Sequence, residues 1–174
     1  MHKVTVHAVS GYPIESLFQL TIPTLKAVFP LLFLTQIETS NMEVTCAIIL
    51  SNDKILVTQR GEKMELPLKW EFSGGKIEEN ETAENCLIRE IKEELNIEIE
   101  ILERLESKYF SYEKFSINFI PFVAKYLAGE IILMEHQGFM WLTKDGLNYL
   151  DWASADVPVV DEFLKLNHDS ARTI

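Results

Sequence analysis

The sequence predicts an α+β fold in which a mixed β-sheet is covered by helices on both sides. Two observations carry that reading. Short β-branched or alternating apolar runs recur from Val44 onward, and one strongly amphipathic segment, Thr82 to Leu95, interrupts them with apolar residues every four positions. Length sets the scale, because 174 residues with 47% hydrophobic content suit one buried core and are short for two.

Taken in order, Val44 to Leu50 and Ile55 to Thr58 flank the polar Ser51, Asn52 and Asp53, the pattern of a β-hairpin. Gly61 to Lys69 is polar, holds Pro67 and reads as a loop ending in Trp70 and Phe72, which bracket Glu71. Gly74 and Gly75 signal a turn ahead of the acidic helix. There Ala83, Leu87, Ile91 and Leu95 make one stripe, widened by Cys86 and Ile88. Ile97, Ile99 and Ile101 sit at period two, and Phe115, Ile117 and Phe119 continue the signal after the turn-like Ser111 to Lys114. Two long antiparallel strands are expected. Met140 to Leu142 fits a further strand. Val159, Val160, Phe163 and Leu164 have helical spacing behind Asp156 and Pro158, the composition of a helix start.

A net charge of −11 and a pI near 4.8 argue against a nucleic-acid polymer as partner, since that hold needs lysines and arginines to displace phosphate counterions. A small anionic substrate stays open if a divalent cation supplies local positive charge. Cys46 and Cys86 show no metal-ligand spacing and no disulfide framework, which fits a reducing cytoplasm. Residues 1–41 differ in character. Leu17 to Ile37 is apolar, but Pro23, Pro30 and Lys26 make it a poor membrane span, and it fits a signal peptide badly. The expectation is an N-terminal extension over 1–41 with Met42 as the natural start, the rival being a docking arm for a partner. A catalytic domain over 42–168 and a tail over 169–174 follow. No membrane partner is expected, and monomer and homodimer are both open.

On the predicted helix Glu90 faces Glu93 and Glu94. Two unit charges about 4 Å apart repel by roughly 4 kcal/mol at an effective dielectric near 20, a penalty that a hard cation such as Mg²⁺ would relieve. Alone, three glutamates also describe an ordinary solvated acidic face. Their context is more specific. Gly75, Lys76, Ile77, Glu78, Glu79, Asn80 and Glu81 lead, after seven residues, to Arg89, Glu90, Ile91, Lys92, Glu93, Glu94, Leu95, Asn96 and Ile97. This resembles the signature of the Nudix hydrolases, with every fixed position matched except the last glycine, here Asn96. Asparagine tolerates a left-handed conformation after a helix, so the departure bears on local stability more than on chemistry.

The resemblance implies a Nudix-type α/β/α sandwich with a mixed β-sheet. It also implies a Mg²⁺-dependent pyrophosphohydrolase of a small nucleotide, Mn²⁺ being an alternative cation. Carried over by position, Glu90, Glu93 and Glu94 become metal ligands, with Glu81 and the carbonyl of Gly74 or Gly75 nearby, and Arg89 orients the glutamates. Glu94 and Glu135 are the candidate general bases. Arg60 and Lys76 would meet phosphate oxygens, Phe72 would line a base pocket, and Asp156 would face the base, with a helix cap as its rival role. From Val44 to Leu166 the order of landmarks is similar to MutT-type and CTP-pyrophosphohydrolase-type members: Gln59 and Arg60, Trp70 to Lys76, Glu135, His136 and Gln137, Trp141, and Ala155 to Pro158. Ser73 stands where that branch usually has proline, which would loosen the turn. His136 is expected to shape its loop rather than to catalyse. Tyr112, a lone tyrosine in a hairpin, says little. The implied reaction releases a nucleoside monophosphate and pyrophosphate from CTP, dCTP and modified derivatives or from 8-oxo-dGTP, as nucleotide-pool cleaning. A catalytically weak nucleotide sensor and a hydrolase of another nucleoside diphosphate derivative are the alternatives.

Overall fold

The computed structural model describes residues 41–112 and 115–166. The expectations for the extension 1–41, apart from Asn41, for the tail 169–174 and for the tip of the Ser111 to Lys114 turn fall outside the described residues.

Strand β1 (Asn41–Ser51) turns into β2 (Lys54–Gln59) through Asn52 and Asp53, both left-handed at φ 48° and 59°. Two positive φ values make the two-residue turn whose twist matches antiparallel strands, and Asn and Asp are among the few side chains that accept them. β3 is two residues, Trp70–Glu71. Helix α1 (Ala83–Leu95) is followed by β4 (Glu98–Arg104), β5 (Lys108–Ser111), β6 (Ser116–Ala128) and β7 (Gly138–Leu142). A short 3₁₀ helix (Lys144–Tyr149) leads to helix α2 (Val157–Lys165). The hairpin, the two helices and the antiparallel β4 and β6 match expectation, whereas β5 and the 3₁₀ turn carry no sequence signal of their own.

The seven strands form one mixed sheet in the order β3-β2-β1-β6-β4, with β5 also on β6 and β7 on β2. The parallel pair is β1 with β6, running from Asn41 opposite Ser116 to Leu50 opposite Lys125. Pro121 inside this central strand needs a reason, since proline cannot donate to a ladder. Its carbonyl accepts from Leu105, so its nitrogen faces the side where β4 has ended opposite Phe122 and β5 begins opposite Phe119. The missing N–H therefore falls in a gap between partners.

β1 divides the core. Cys46 and Ile48 point into one layer with Val159, Val160 and Phe163 of α2, and Ala47 and Ile49 into the other with Leu87, Ile91 and Leu95 of α1. One helix thus covers each face. Among the described residues no helix is long and apolar enough to cross a membrane.

β1 and β2 pair only beside their turn, at Ile49 to Ser51. Chain 70–77 fills the opening beyond it: β3 pairs with β2, while Ser73 and Gly75 carbonyls accept from Ala47 and Thr45 of β1. Ser73 does not loosen this turn. It is buried, and its hydroxyl lies 3.0 Å from that of Thr58. Helix α1 starts at Thr82, whose hydroxyl accepts the Asn85 N–H at 3.2 Å, and stops at Asn96, left-handed at φ 57° with its N–H on the Lys92 carbonyl. The Asn96 amide also reaches the Glu130 carbonyl. Replacing Asn96 by alanine should lower unfolding stability by about 1 kcal/mol, because alanine tolerates the left-handed conformation less well than asparagine and loses the amide hydrogen bond to Glu130, while glycine, which adopts it without strain, should stay within a few tenths. Urea midpoints of the two variants check this.

Candidate active site

Two adjacent glycines set the geometry where chain 73–77 meets α1. A Cβ on Gly74 would stand 2.1 Å from the Thr45 carbonyl oxygen, and one on Gly75 would stand 2.2 Å from the Glu90 carboxyl carbon. Glycine at 74 lets the loop lie against β1, and glycine at 75 leaves room for a carboxylate above it. Of the two carbonyls expected near the metal ligands, that of Gly75 accepts from the Thr45 N–H at 2.8 Å, with the Thr45 hydroxyl and the Cys86 thiol also within reach.

Arg89 organises the acidic face of α1. Its Nε and one terminal nitrogen form a fork to both Glu81 oxygens at 2.9 and 2.8 Å, and its other terminal nitrogen reaches Glu90 at 2.7 Å and Glu93 at 3.3 Å. It also donates to the Lys76 carbonyl. Planar two-point pairing of this kind fixes direction as well as distance. Arg89 holds the Glu81 carboxyl low, at a pKa of about 2, helped by the Glu78 N–H. The contacts bring Arg89 together with three of the glutamates it is expected to orient.

Glu94 is the opposite case. Burial pushes its carboxyl up to about 8, and the charges of Glu71, Glu90 and Glu135 push the same way against a hydrogen bond from Gly74. Its Oε2 is sealed from solvent with no partner. An orphaned oxygen ringed by carboxylates is what a hard, oxygen-seeking divalent cation would relieve, and the donor set is of the right kind. The residues therefore fit such an ion, although among the described residues no three acidic, His or Cys side chains form a closed coordination group. Glu90 and Glu93, expected beside Glu94, both also contact Arg89, and the charge of Glu90 is felt at Glu94.

A cavity of about 230 Å³ opens beside Glu71 and Gly74, the two residues that also act on Glu94. Gly74 and Glu71 belong to its lining, as do Arg60, Phe72, Tyr112 and Asp156. Asp156 is 3% exposed, and its Oδ1 accepts the Phe72 N–H at 2.9 Å. Burial pushes its carboxyl well above the usual range. The side chain makes no cap bond to α2, so the helix-cap alternative is wrong for its carboxylate: its partner comes from another element. Arg60 and Lys76 also differ from expectation. Arg60 is paired with Glu71 and the Glu65 carbonyl and lines the cavity rather than the glutamate helix, and Lys76 leaves an exposed side chain outside it.

Glu71 is the residue that sequence reasoning missed. It is gripped by Arg60 on one oxygen and by His136 Nε2 at 2.8 Å on the other, it lines the cavity, and its charge is felt at Glu94. Its place between Trp70 and Phe72, at the end of a strand leading into the glycines, was the one available signal.

The raised pKa of Glu94 has a consequence for stability. The unfolded carboxyl titrates at its ordinary value of 4.5, so between that pH and about 8 the folded protein holds the extra proton, and stability falls as pH rises through this window. In EDTA the melting temperature should therefore decline from pH 5 to pH 8. Glu94→Gln, neutral throughout, should flatten the decline and melt several degrees above wild type at pH 8, as calorimetric scans would register.

The NUDIX domain model matches residues 41–163. The chain is 32% identical to the CTP pyrophosphohydrolase of Escherichia coli over 125 residues, covering 72% of this chain and 93% of that one. It is 30% identical to the E. coli 8-oxo-dGTP diphosphatase over 115 residues, covering 66% of this chain and 89% of that one. The solution structure of the E. coli ORF135 protein superposes with a TM-score of 0.66 at 30% identity, covering 76% of this chain and 94% of that one. The chain belongs to the Nudix hydrolase family.

Proposed function

We propose that this chain is a Mg²⁺-dependent nucleoside triphosphate pyrophosphohydrolase that prefers cytidine nucleotides, including modified deoxycytidine triphosphates. The observation that carries the reading is the pairing of the orphaned Glu94 oxygen with a cavity that has the buried Asp156 in its lining, across the shared Glu71 and Gly74. A base in the cavity would leave its phosphates towards α1. A divalent cation bound there would draw charge off the phosphate oxygens and ease the loss of a proton from water. The water oxygen bonds to phosphorus as the α–β bridging P–O bond breaks, giving a nucleoside monophosphate and pyrophosphate. Glu94 is favoured over Glu135 as acceptor of the water's proton, because its Oε2 is enclosed and unpartnered while Glu135 is exposed. Arg89 keeps Glu81, Glu90 and Glu93 in place throughout.

Base choice rests on Asp156. As a carboxylate it can only accept, and the exocyclic amine of cytosine is a donor suited to acidic side chains. An amine opposite it would offset the burial that pushes its carboxyl up. Similarity to the E. coli CTP pyrophosphohydrolase supports the same choice, and similarity to the 8-oxo-dGTP diphosphatase keeps oxidised guanine as the second reading.

A nucleotide panel assayed for pyrophosphate with and without Mg²⁺ tests the reaction; no release from any triphosphate would leave a nucleotide sensor. In that assay Glu93→Gln should lower turnover at least about a hundredfold with little change in melting temperature, by loss of a charge from the cation's surroundings. Near-normal turnover at saturating Mg²⁺ would remove Glu93 from the ligand set. Asp156→Asn keeps an oxygen for the Phe72 N–H but exchanges an acceptor for a donor. The ratio of kcat/KM between dCTP and 8-oxo-dGTP should change about tenfold or more, the size of one buried hydrogen-bond mismatch. An unchanged ratio would leave Asp156 as a clamp on Phe72 alone.

A further inference from the structure

We propose that His136 is a positioning residue for the carboxylates around Glu94, acting through its hydrogen bond to Glu71; the inference rests on the reading that those carboxylates hold a divalent cation. The imidazole is 1% exposed, its Nε2 lies 2.8 Å from Glu71 Oε1, and its Nδ1 is sealed without a partner. An ionised Glu71 oxygen can only accept, so Nε2 carries the hydrogen. Arg60 holds the other Glu71 oxygen, and the carboxylate is fixed from both sides.

The loop that carries His136 is tied down at three points. Ile132 and Met134 donate to the carbonyls of Leu95 and Glu94 at the end of α1, at 3.0 and 3.1 Å, and Gln137 donates to the Gln59 carbonyl of β2 at 2.8 Å. Between these anchors His136 is the one fully buried residue of 131–137. Its neighbour Glu135 stays exposed, with its charge reaching Glu94. One ring therefore sets the two carboxylates that flank Glu94 from outside α1: Glu71 on β3 by direct hydrogen bond, and Glu135 by fixing the backbone next to it. His136 is not part of the cavity lining, so any effect on cation or substrate passes through those glutamates.

Hydrogen-bond partners behind metal-ligating groups change metal affinity by about tenfold to a hundredfold when lost. The test is Mn²⁺ binding to nucleotide-free protein, read by the loss of the free-ion electron paramagnetic resonance signal. His136→Leu should weaken Mn²⁺ binding about tenfold or more, while His136→Gln, whose amide nitrogen stands where Nε2 does, should stay within about threefold of wild type. Wild-type affinity in His136→Leu would overturn the inference. Equal loss in both variants would also overturn it, by showing that ring shape and not the hydrogen bond matters. If His136→Leu does not fold, His136→Asn, whose amide stops at the Nδ1 position, takes its place. A wild-type protein that binds no Mn²⁺ would sink the metal reading and this inference together. One that binds Mn²⁺ but releases no pyrophosphate would sink only the proposed reaction, and the Leu-to-Gln comparison would still decide.

Discussion

The site depends on a backbone contact that leaves no room for a side chain, the approach of Gly74 to the carbonyl of Thr45. Because chain 73–77 lies flush in the opening between β1 and β2, the next glycine lands beneath Glu90 and the acidic helix follows at a fixed distance. A methyl group at 74 would lift the loop from the sheet. One at 75 would leave the loop seated but evict the carboxylate. Two neighbouring residues of one type thus answer to different constraints, one set by the sheet and one by charge.

Electrostatics follows from that placement. Six carboxylates gather near the end of α1, and Arg89 balances only those on the outer side, Glu81, Glu90 and Glu93. The inner side has Arg60 for Glu71 and no cation for Glu94. An acidic protein that leaves an enclosed carboxylate such as Glu94 uncompensated accepts a local destabilisation, and such strain concentrates where a ligand is to supply the missing charge. Fold and chemistry meet here: Glu94 precedes Leu95, which packs in the core, and its own carboxyl is raised by burial.

Much of this was legible in the residue order. The stripe of Leu87, Ile91 and Leu95 repeats at helical spacing because all three are fully buried, and the glycine and glutamate spacings follow the loop and helix that hold them. What stayed hidden depends on partners distant in sequence. Glu71 reads as a residue inside a short strand, and its meaning comes from His136, 65 positions away. Asp156 sits where a cap residue belongs, and nothing local says that its carboxylate turns 84 positions back to Phe72. Arg60 reads as free to meet phosphate because nothing local shows that its side chain reaches diagonally across the strand pair to Glu71, which lies opposite Thr58. β5 escaped notice because four residues with half of them exposed carry too short an alternation to distinguish from a turn.

The outer strand β4 ends the sheet order among the described residues, and it carries Glu98, Glu100 and Glu103 on its exposed positions. Another copy of the strand laid alongside would bring glutamate against glutamate at ladder spacing, where opposed like charges disfavour pairing. That row of like charge guards an open line of backbone hydrogen-bonding groups against recruiting a neighbour into a growing sheet. On that edge, a neutralising change such as lysine acetylation has nothing to act on, whereas exchange of glutamates for threonine or valine would turn a repelling border into an adhesive one.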